Sequence, residues 1–441
     1  MLTMGPDHTT VAIVKYDDTS NAVAKAVQLC NGLKGLNRAD RVLLKPNIVW
    51  GAGGTGKVPK FGLITTARVI EEIVKLLRDY GCTKIALGEG TIADKELGSD
   101  TMKGYRWSGM ERVAKKYGVT LIDFNREPYR EAELDGEKIK IAESALDADF
   151  LINVPVLKTH AQCRVSLGLK NLKGCLSMGS KRAFHRNDLH RMIALLNTRV
   201  IPSLTVIDGI YALEHGPTAT GTAHRMNVII AGRDSLSCDV VGSTVLGIDP
   251  AAVGHVKEFA ALHKRSIDVN TIDLQGEKIE DVSKKLAWEF AGNDVLRKAG
   301  VQGISIPYPG THFCTQCVTH TEAVLLSFCK DNAGMRFSDV ELCVGSEVKP
   351  RKDSKKVFLF GECALRANKD REGTITVKGC PPKAADMLMA LSYGTLGRGR
   401  ATRNMLAKII KTIGYRMGVY HEEYPEFTRY SPPIFDENHF V

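Results

Sequence analysis

The chain has 441 residues and a formal net charge of +10, with 44% apolar and 25% charged residues. These proportions are ordinary for a globular protein and exclude a disordered or fibrous chain, while the length suggests two domains. No run approaches the roughly 18 apolar residues of a membrane-spanning helix, and the N-terminus lacks the basic-then-apolar pattern of a secretion signal. With an odd number of cysteines, eleven, the chain is predicted to be cytoplasmic and without a membrane span.

The first 290 or so residues alternate apolar strands with amphipathic helices. The patterns predict strands at residues 11–16, 41–45, 84–88, 119–123, 149–154, 203–208 and 227–231, and helices at 21–33 and 65–80. This alternation is typical of an α/β fold in which a mostly parallel sheet is flanked by helices. Ligands are expected at the carboxyl ends of such strands.

A second, smaller α/β unit follows a polar, mostly helical stretch at residues 249–301. Its patterns predict a helix at 321–330, strands at 340–344, 356–360 and 374–377, and a helix from Pro382 onward. We therefore predict two domains: residues 1–300, with anion-binding loops, and residues 301–441, which are rich in cysteine.

The positive charge predicts an acidic partner. Recognition of nucleic acid favours a basic stripe with interleaved aromatic residues, but aromatic residues are only 7% of this chain. The basic residues are spread out, with clusters at 158–191 and 398–416. An anionic small molecule is therefore the preferred partner, and the run at 398–416 is interpreted as a solvated amphipathic helix.

Polar residues gather where the predicted strands of the first unit end. Lysines donate to phosphate or carboxylate oxygens, and asparagines fix the orientation of a ligand. The candidates are Lys45, Asn47, Lys158, His160, Lys170, Asn171, His185 and Asp208.

Five short motifs, four of which contain candidates named above, resemble in order and spacing those of the domain-of-unknown-function 362 family. The resemblance extends over residues 11–253, through Leu-Lys45-Pro-Asn, Val-Leu-Lys158-Thr-His, Lys170-Asn-Leu-Lys-Gly, Val-Ile-Asp208-Gly and Arg233-Asp-Ser-Leu-Ser-Cys-Asp. It implies a protein often coupled to iron–sulfur clusters, in a family for which no general activity is established.

The chemistry of the candidates suggests how they divide the work. Lys158 and Lys170 would clamp an anionic group, while His160 or His185 would act as an acid–base catalyst near pH 7. Lys45, Asn47, Asn171 and Asp208 are further candidates for binding the substrate. An alternative is that the two histidines bind a metal with Asp208, although no local spacing supports it.

A glycine-rich stretch at residues 51–57 fits G-x-G-x-x-G and nearly fits a phosphate-binding loop. Position 58 is a valine, so the hydroxyl that would bind Mg²⁺ is missing, and Pro59 stands where the receiving helix should already run. A flexible loop over the site is the preferred interpretation.

Six of the eleven cysteines fall in the last third of the chain. Cys314 and Cys317 form a C-x-x-C pair in a polar loop, and Cys363 and Cys380 each follow a predicted strand. Cys329 and Cys343 lie in apolar runs and are assigned to the core. The other four are predicted to hold a [4Fe–4S] cluster, with zinc as the alternative.

The stretch Gly379-Cys380-Pro-Pro resembles the cluster-binding loop and helix of the small iron–sulfur subunit of respiratory NADH:quinone oxidoreductase. The resemblance covers about fifteen residues, lacks that subunit's adjacent cysteine pair, and implies that Cys380 is a cluster ligand. For zinc, two C-x-x-C knuckles would be usual, and only one is present.

These features favour an iron–sulfur redox enzyme that acts on an anionic small molecule. Two alternatives stay open: an electron-transfer partner protein without its own substrate, and a redox-silent lyase or transferase with a structural cluster or zinc. For the redox enzyme and for the electron-transfer protein, a redox partner protein is a further expectation.

Overall fold

The computed structural model describes residues 10–17, 21–51, 61–93, 98–217, 221–307 and 313–397. The predicted loop at 51–57 lies outside these residues except for Gly51, and the predicted helix at 398–416 lies outside them entirely.

The described strands are β1 (Thr10–Lys15), β2 (Arg41–Pro46), β3 (Lys84–Glu89), β4 (Thr120–Asp123), β5 (Tyr129–Leu134), β6 (Glu137–Ala142), β7 (Phe150–Val154), β8 (Val156–His160), β9 (Arg164–Val165), β10 (Leu204–Glu214), β11 (Thr222–Gly232), β12 (Asp273–Gly276), β13 (Gln302–Ser305), β14 (Arg336–Val344), β15 (Lys356–Phe360) and β16 (Ile375–Val377).

The described α-helices are α1 (Ala22–Leu29), α2 (Ala67–Tyr80), α3 (Thr101–Trp107), α4 (Met110–Tyr117), α5 (Glu143–Asp147), α6 (Gly168–Asn171), α7 (Met178–Arg186), α8 (Leu189–Leu196), α9 (Ser235–Val245), α10 (Gly254–Leu262), α11 (Ile279–Val282), α12 (Gly292–Lys298), α13 (Thr315–Asp331), α14 (Glu362–Ala367) and α15 (Ala384–Leu396).

A large ten-stranded sheet runs in the order β12-β1-β11-β10-β7-β2-β3-β4, with β8 paired to β10 and to β9. Its central pairings, β10–β7, β7–β2, β2–β3 and β3–β4, are all parallel, whereas β11 is antiparallel to both β1 and β10. The predicted α/β fold with a mostly parallel sheet is therefore confirmed.

The large sheet is covered on both faces because its strands are apolar on both sides. In β2, Val42 and Leu44 pack into one hydrophobic cluster with α2, while Leu43, between them, packs into the cluster on the opposite face. Alternate residues of a strand point to opposite faces, so a strand without polar positions must be covered twice.

The helix α2 shows how local sequence sets an element. The Thr66 side chain accepts a hydrogen bond from the Val69 amide at the N-terminus, and Gly81 ends the helix with φ of 103°. A positive φ at this position is available to glycine at little cost, so the predicted end at Gly81 has a stereochemical cause.

A small sheet of four parallel strands runs in the order β13-β14-β15-β16. The helices α13 and α15 pack on one face of it, and Cys343 lies in a separate cluster with Val357 and Leu359. Cys329 and Cys343 are both buried, as expected for core residues.

Three features were not anticipated from the sequence. Tyr129–Leu134 and Glu137–Ala142 form an antiparallel hairpin, and β10 continues past its predicted end at 208 to Glu214. Strand β12 lies in a stretch predicted to be mostly helical and pairs in parallel with β1 at the edge of the large sheet. Such four-residue edge strands have too few residues for a periodic signal.

Candidate functional site

A cavity of about 460 Å³ lies between the two sheets, where the carboxyl ends of parallel strands from each sheet meet. The large sheet contributes residues at the ends of β2, β3 and β8 together with the segment 166–186. The small sheet contributes the turns that follow β14, β15 and β16. Ligand sites form at this edge of a parallel sheet, and here two such edges line one cavity.

Most of the predicted site residues line this cavity, and they are Lys45, Asn47, Lys158, Lys170, Asn171, His185, Cys314, Cys317, Cys363 and Cys380. The two predicted residues that do not line it are His160 and Asp208.

Lys45 forms a buried ion pair at the end of β2. Its Nζ donates to Glu89 Oε2 at 2.7 Å and to the Pro46 carbonyl at 2.8 Å, and both charged side chains are almost fully buried. Glu89 also accepts hydrogen bonds from the backbone amides of Ile48 and Gly90. The pair joins β2 to β3 and is satisfied without a ligand, which suits a positioning role.

Lys158 is held by a chain of amides. Its Nζ donates to Asn47 Oδ1 at 2.6 Å and to the Leu63 carbonyl at 2.8 Å. Asn47 donates in turn to Asn171, which donates to Asn153 Oδ1 at 2.8 Å. Burial lowers the pKa of Lys158 well below its usual value, and the charge of Lys170 lowers it further.

Lys170, Lys173 and Lys181 bring further positive charge to the cavity. Burial lowers the pKa of Lys173 to about 7 and that of Lys181 to about 8, and it also lowers the pKa of Lys170. Within the described part of the chain, eight basic side chains line the cavity against the carboxylates of Glu89 and Glu362. We call this side of the cavity, formed by Lys45, Lys158, Lys170, Lys173 and Lys181, the lysine wall. A bound anion would favour the charged form of these lysines, so the lysine wall is suited to binding one.

His185 lies beside Lys173, with 3.0 Å between its Nε2 and the lysine Nζ. Burial lowers its pKa well below the usual value, and the charges of Lys173 and Lys170 add to this effect. A neutral imidazole that accepts from Lys173 carries its proton on Nδ1. Lys173 and His185 therefore form a pair through which a proton can pass.

His160 is buried beside the cavity. Its Nδ1 accepts hydrogen bonds from the backbone amides of Gln162 and Cys163, at 3.0 and 3.3 Å. The proton then resides on Nε2, which lies 3.4 Å from Thr315 Oγ1. These contacts connect the turn after β8 to the first turn of α13, which is the geometry of a positioning residue.

Asp208 is buried under the start of α2. Its carboxylate accepts hydrogen bonds from the Thr66 amide at 2.7 Å and the Ile210 amide at 3.1 Å, and burial raises its pKa to about 6. Asp239 makes similar contacts with the amides of Gly168 and Leu169, just before Lys170. Both carboxylates fix backbone that supports the cavity.

Cys314 and Cys317 lie at the N-terminus of the 17-residue helix α13, with Cys314 at the capping position. A hydrogen bond from the Cys317 thiol lowers the pKa of Cys314 to about 6, and the backbone amide of Cys317 and the charge of Lys173 act in the same direction. A helix N-terminus stabilises thiolates and other anions.

Cys363 and Cys380 lie on adjacent turns and, with Cys314 and Cys317, form the side of the cavity that we call the cysteine wall. The Glu362 amide donates to the Gly379 carbonyl at 3.1 Å, and the Gly379 amide donates to Glu362 Oε1 at 3.2 Å, so the two turns are joined directly. The hydrogen bond with Cys314 and burial raise the pKa of Cys317, and the charges of Cys380 and Cys363 add to this effect.

A second group of potential metal ligands lies outside the cavity lining. Among the described residues, one set of three ligand atoms falls within 4.8 Å of one another, and it belongs to Cys163, His190 and His255. The alternative metal site of His160, His185 and Asp208 is not among such sets.

Sequence reasoning missed several residues of the site. Lys181, Arg182 and Arg366 line the cavity but stand outside the motifs, and Lys173 was noted only as part of a motif. The signal for Lys181 and Arg182 was the basic cluster at 158–191, since the helix α7 presents one side to the cavity. Arg366 lies in α14 and had no such signal. His255 gave no signal, because its partners are distant in sequence.

Comparison with curated proteins finds a relative that is similar to part of this chain. A thylakoid-associated protein of Synechocystis sp. is 28% identical over 220 residues, which is 48% of this chain and 65% of that relative. The chain thus spans less than two thirds of the length of this relative. Within the described residues, no helix has both the length and the apolar character needed to cross a membrane.

Among solved structures, the lactate racemase apoprotein from Thermoanaerobacterium thermosaccharolyticum aligns with 94% of this chain and 83% of its own. The identity is 12% and the TM-score is 0.33, so this likeness supports no inference about the chain. Residues 42–244 match a family model described as "Domain of unknown function (DUF362)". The lysine wall of the cavity lies within this match, and the cysteine wall lies outside it.

Proposed function

We propose that the protein is a [4Fe–4S] redox enzyme that acts on a small anionic substrate bound in the shared cavity. One observation carries the proposal: of the eleven cysteines, the four predicted ligands line the cavity, and they share it with the lysine wall. A simple electron carrier has no need of such a wall, whereas an enzyme needs its substrate beside its redox centre.

The cysteine wall fits a cluster better than a single zinc ion. With Zn–S bonds of about 2.3 Å, a tetrahedral zinc site holds its sulfur atoms about 3.8 Å apart. No three of the four sulfur atoms, all of which belong to described residues, lie within 4.8 Å of one another. In a cubane each thiolate binds a different iron atom, so the wider spacing suits it.

Charge supports the same choice. A cubane with four thiolate ligands is an anion, and Cys314 and Cys317 place it at the N-terminus of α13. Arg366 donates to Cys363 Sγ at 3.8 Å and adds a positive charge beside this thiol. Hydrogen bonds and charges at the sulfur atoms are among the factors that set the potential of a cluster.

The lysine wall would bind and orient the substrate. The Lys170 side chain makes no hydrogen bond or ion pair among the described residues, so its amine is available to an anionic group in the cavity. Lys158, fixed by Asn47, would hold a second oxygen in a defined place. The bound cluster would supply single electrons, and the pair of Lys173 and His185 would deliver or remove the accompanying proton.

Anaerobic purification followed by iron and sulfide analysis tests this proposal first. We expect about four iron atoms per chain and an electron paramagnetic resonance signal that appears on reduction with dithionite. We also expect sulfate, used as a probe anion, to change this signal in the wild type and to change it less in Lys170→Met. Zinc or no metal would overturn the cluster, and a signal that no anion alters would favour the electron carrier.

A further inference from the structure

We propose that Cys163, His190 and His255 form a second metal site, for a divalent ion of the zinc class, behind the lysine wall. The proposal uses none of the residues assigned to the cluster, so it stands or falls separately from the proposed function.

Three segments distant in sequence bring the donors together. Cys163 lies in the turn between β8 and β9, and the two histidines lie in the first turns of α8 and α10. The sulfur and one nitrogen of each imidazole all lie within 4.8 Å of one another. A zinc ion with bonds of 2.0 to 2.3 Å is reached from such positions by small side-chain movements.

His255 supplies an independent reason to expect a ligand. The residue is fully buried, and neither Nδ1 nor Nε2 has a hydrogen-bond partner among the residues that the structure describes. A neutral imidazole has one N–H donor and one lone pair, and buried polar groups in folded proteins are almost always satisfied. A metal ion would take the lone pair that the protein leaves without a partner.

The packing of the two helices also suits a shared ligand. The imidazole planes of His190 and His255 are parallel within 2°, with centroids 5.8 Å apart. At Gly254, a Cβ atom would stand 2.6 Å from His190 Cγ, so glycine is required for α10 to approach this ring. The close approach of α10 to α8 brings the imidazoles of His190 and His255 near enough to bind the same ion.

The donor set defines the class of metal. One thiolate and two imidazoles suit zinc and neighbouring divalent ions, and they disfavour magnesium and calcium, which require oxygen ligands. Three protein donors leave one coordination position for a further ligand. Lys170 is close enough for its charge to act on both Cys163 and His255, so the site adjoins the lysine wall.

The metal would hold the floor of the cavity in place. The Cys163 amide donates to His160 Nδ1, and His160 ends the strand that carries Lys158. An ion bound to Cys163 would therefore tie this turn to α8 and α10, and its loss should loosen the turn.

The test is zinc analysis of the full chain after expression in zinc-supplemented medium. Because zinc can replace iron at the four cavity cysteines, the measurement is made in a Cys363→Ser/Cys380→Ser variant, in which that site is disrupted. We expect about one zinc ion per chain in this variant, with one sulfur and two nitrogen neighbours in zinc-edge X-ray absorption. Adding Cys163→Ser or His190→Gln to the double variant should reduce the zinc content at least tenfold.

His263→Gln is the matched control, since His263 is exposed just after α10 and should keep the zinc. Circular dichroism verifies folding, and the half-buried His190 offers a milder change should Cys163→Ser not fold. Absence of zinc from the double variant, or equal zinc in His190→Gln and His263→Gln, would overturn the proposal.

Discussion

The two walls of the cavity are built on different principles. The lysine wall is completed by the protein itself, because Lys45 is paired with Glu89 and Lys158 is held by Asn47 and a carbonyl. The cysteine wall consists of thiols at helix starts and strand ends, of which Cys380 is exposed. A hydrogen bond between Cys314 and Cys317 lowers the pKa of the first thiol and raises the pKa of the second.

This difference separates what a ligand has to provide in each half. The lysine wall is preorganised, so an anion gains affinity there without first ordering the side chains. The cysteine wall brings together thiols that repel one another when ionised, so a bound cation would relieve this repulsion. Substitutions in the lysine wall should thus affect the stability of the fold, and substitutions in the cysteine wall should affect the cofactor content.

The largest expected effect is loss of iron from the cysteine wall. Cys363→Ala removes one of four thiolates from a closed set, so we expect the iron content to fall from about four per chain to below about one. The matched control is Cys343→Ala, which makes the same change in the core of the small sheet and should keep its iron. Equal iron in the two variants would show that the cavity cysteines do not bind it.

The next effect concerns stability, in the lysine wall. Lys45→Met leaves Glu89 charged and buried without its partner, which should lower the free energy of unfolding by about 3–5 kcal/mol. The double variant Lys45→Met/Glu89→Gln removes both charges and should recover most of this loss. Urea unfolding measures both, and a double variant as unstable as the single one would rule out an unpaired charge as the cause.

The sequence predicted the strands and helices that carry the lysine wall better than the side chains that line the cavity. Strands such as β2 and β7 carry continuous apolar runs, and helix α2 has clear periodicity, so their positions could be found by pattern alone. The parallel order of β15 and β16 then brings Cys363 and Cys380 to one edge, as their positions after strands suggested.

What the sequence could not give was the meeting of distant segments. Lys181 lines the cavity because α7 packs beside β6, and His255 meets Cys163 because α10 packs on α8. His160 and Asp208 matched motifs, yet backbone amides occupy His160 Nδ1 and the Asp208 carboxylate. A motif marks a residue as constrained but does not say whether the backbone or a ligand constrains it.

A smaller effect tests which lysine meets the ligand. Lys170→Met removes an ammonium that faces the cavity without a partner among the described residues, whereas Lys45 is already satisfied. A lost hydrogen bond to a charged group costs about 1.5–3 kcal/mol, so sulfate should bind about 10- to 100-fold more weakly. Isothermal titration calorimetry measures this, with the exposed Lys298→Met as a control that should leave the affinity unchanged.

The smallest effect is a pH dependence that Lys173 should confer on anion binding. Its pKa of about 7 means that the ammonium form, which attracts an anion, is lost as the pH rises through 7. Sulfate keeps its charge over this range, and His185 stays neutral because burial and the nearby lysines lower its pKa. Between pH 6.0 and 7.5 we expect the affinity for sulfate to fall about fourfold.

Two substitutions of Lys173 distinguish this origin from a general effect of pH. Lys173→Arg keeps a positive charge at every pH and should bind sulfate tightly with a flat profile. Lys173→Met has no charge to lose and should also give a flat profile, but with weak binding. If both variants retain the fourfold decrease, another group must titrate, and Lys181, with a pKa of about 8, would be the first to replace. If the affinity of the wild type instead rises with pH, the cavity does not bind anions through its lysines, and the comparison between the two walls loses its functional meaning.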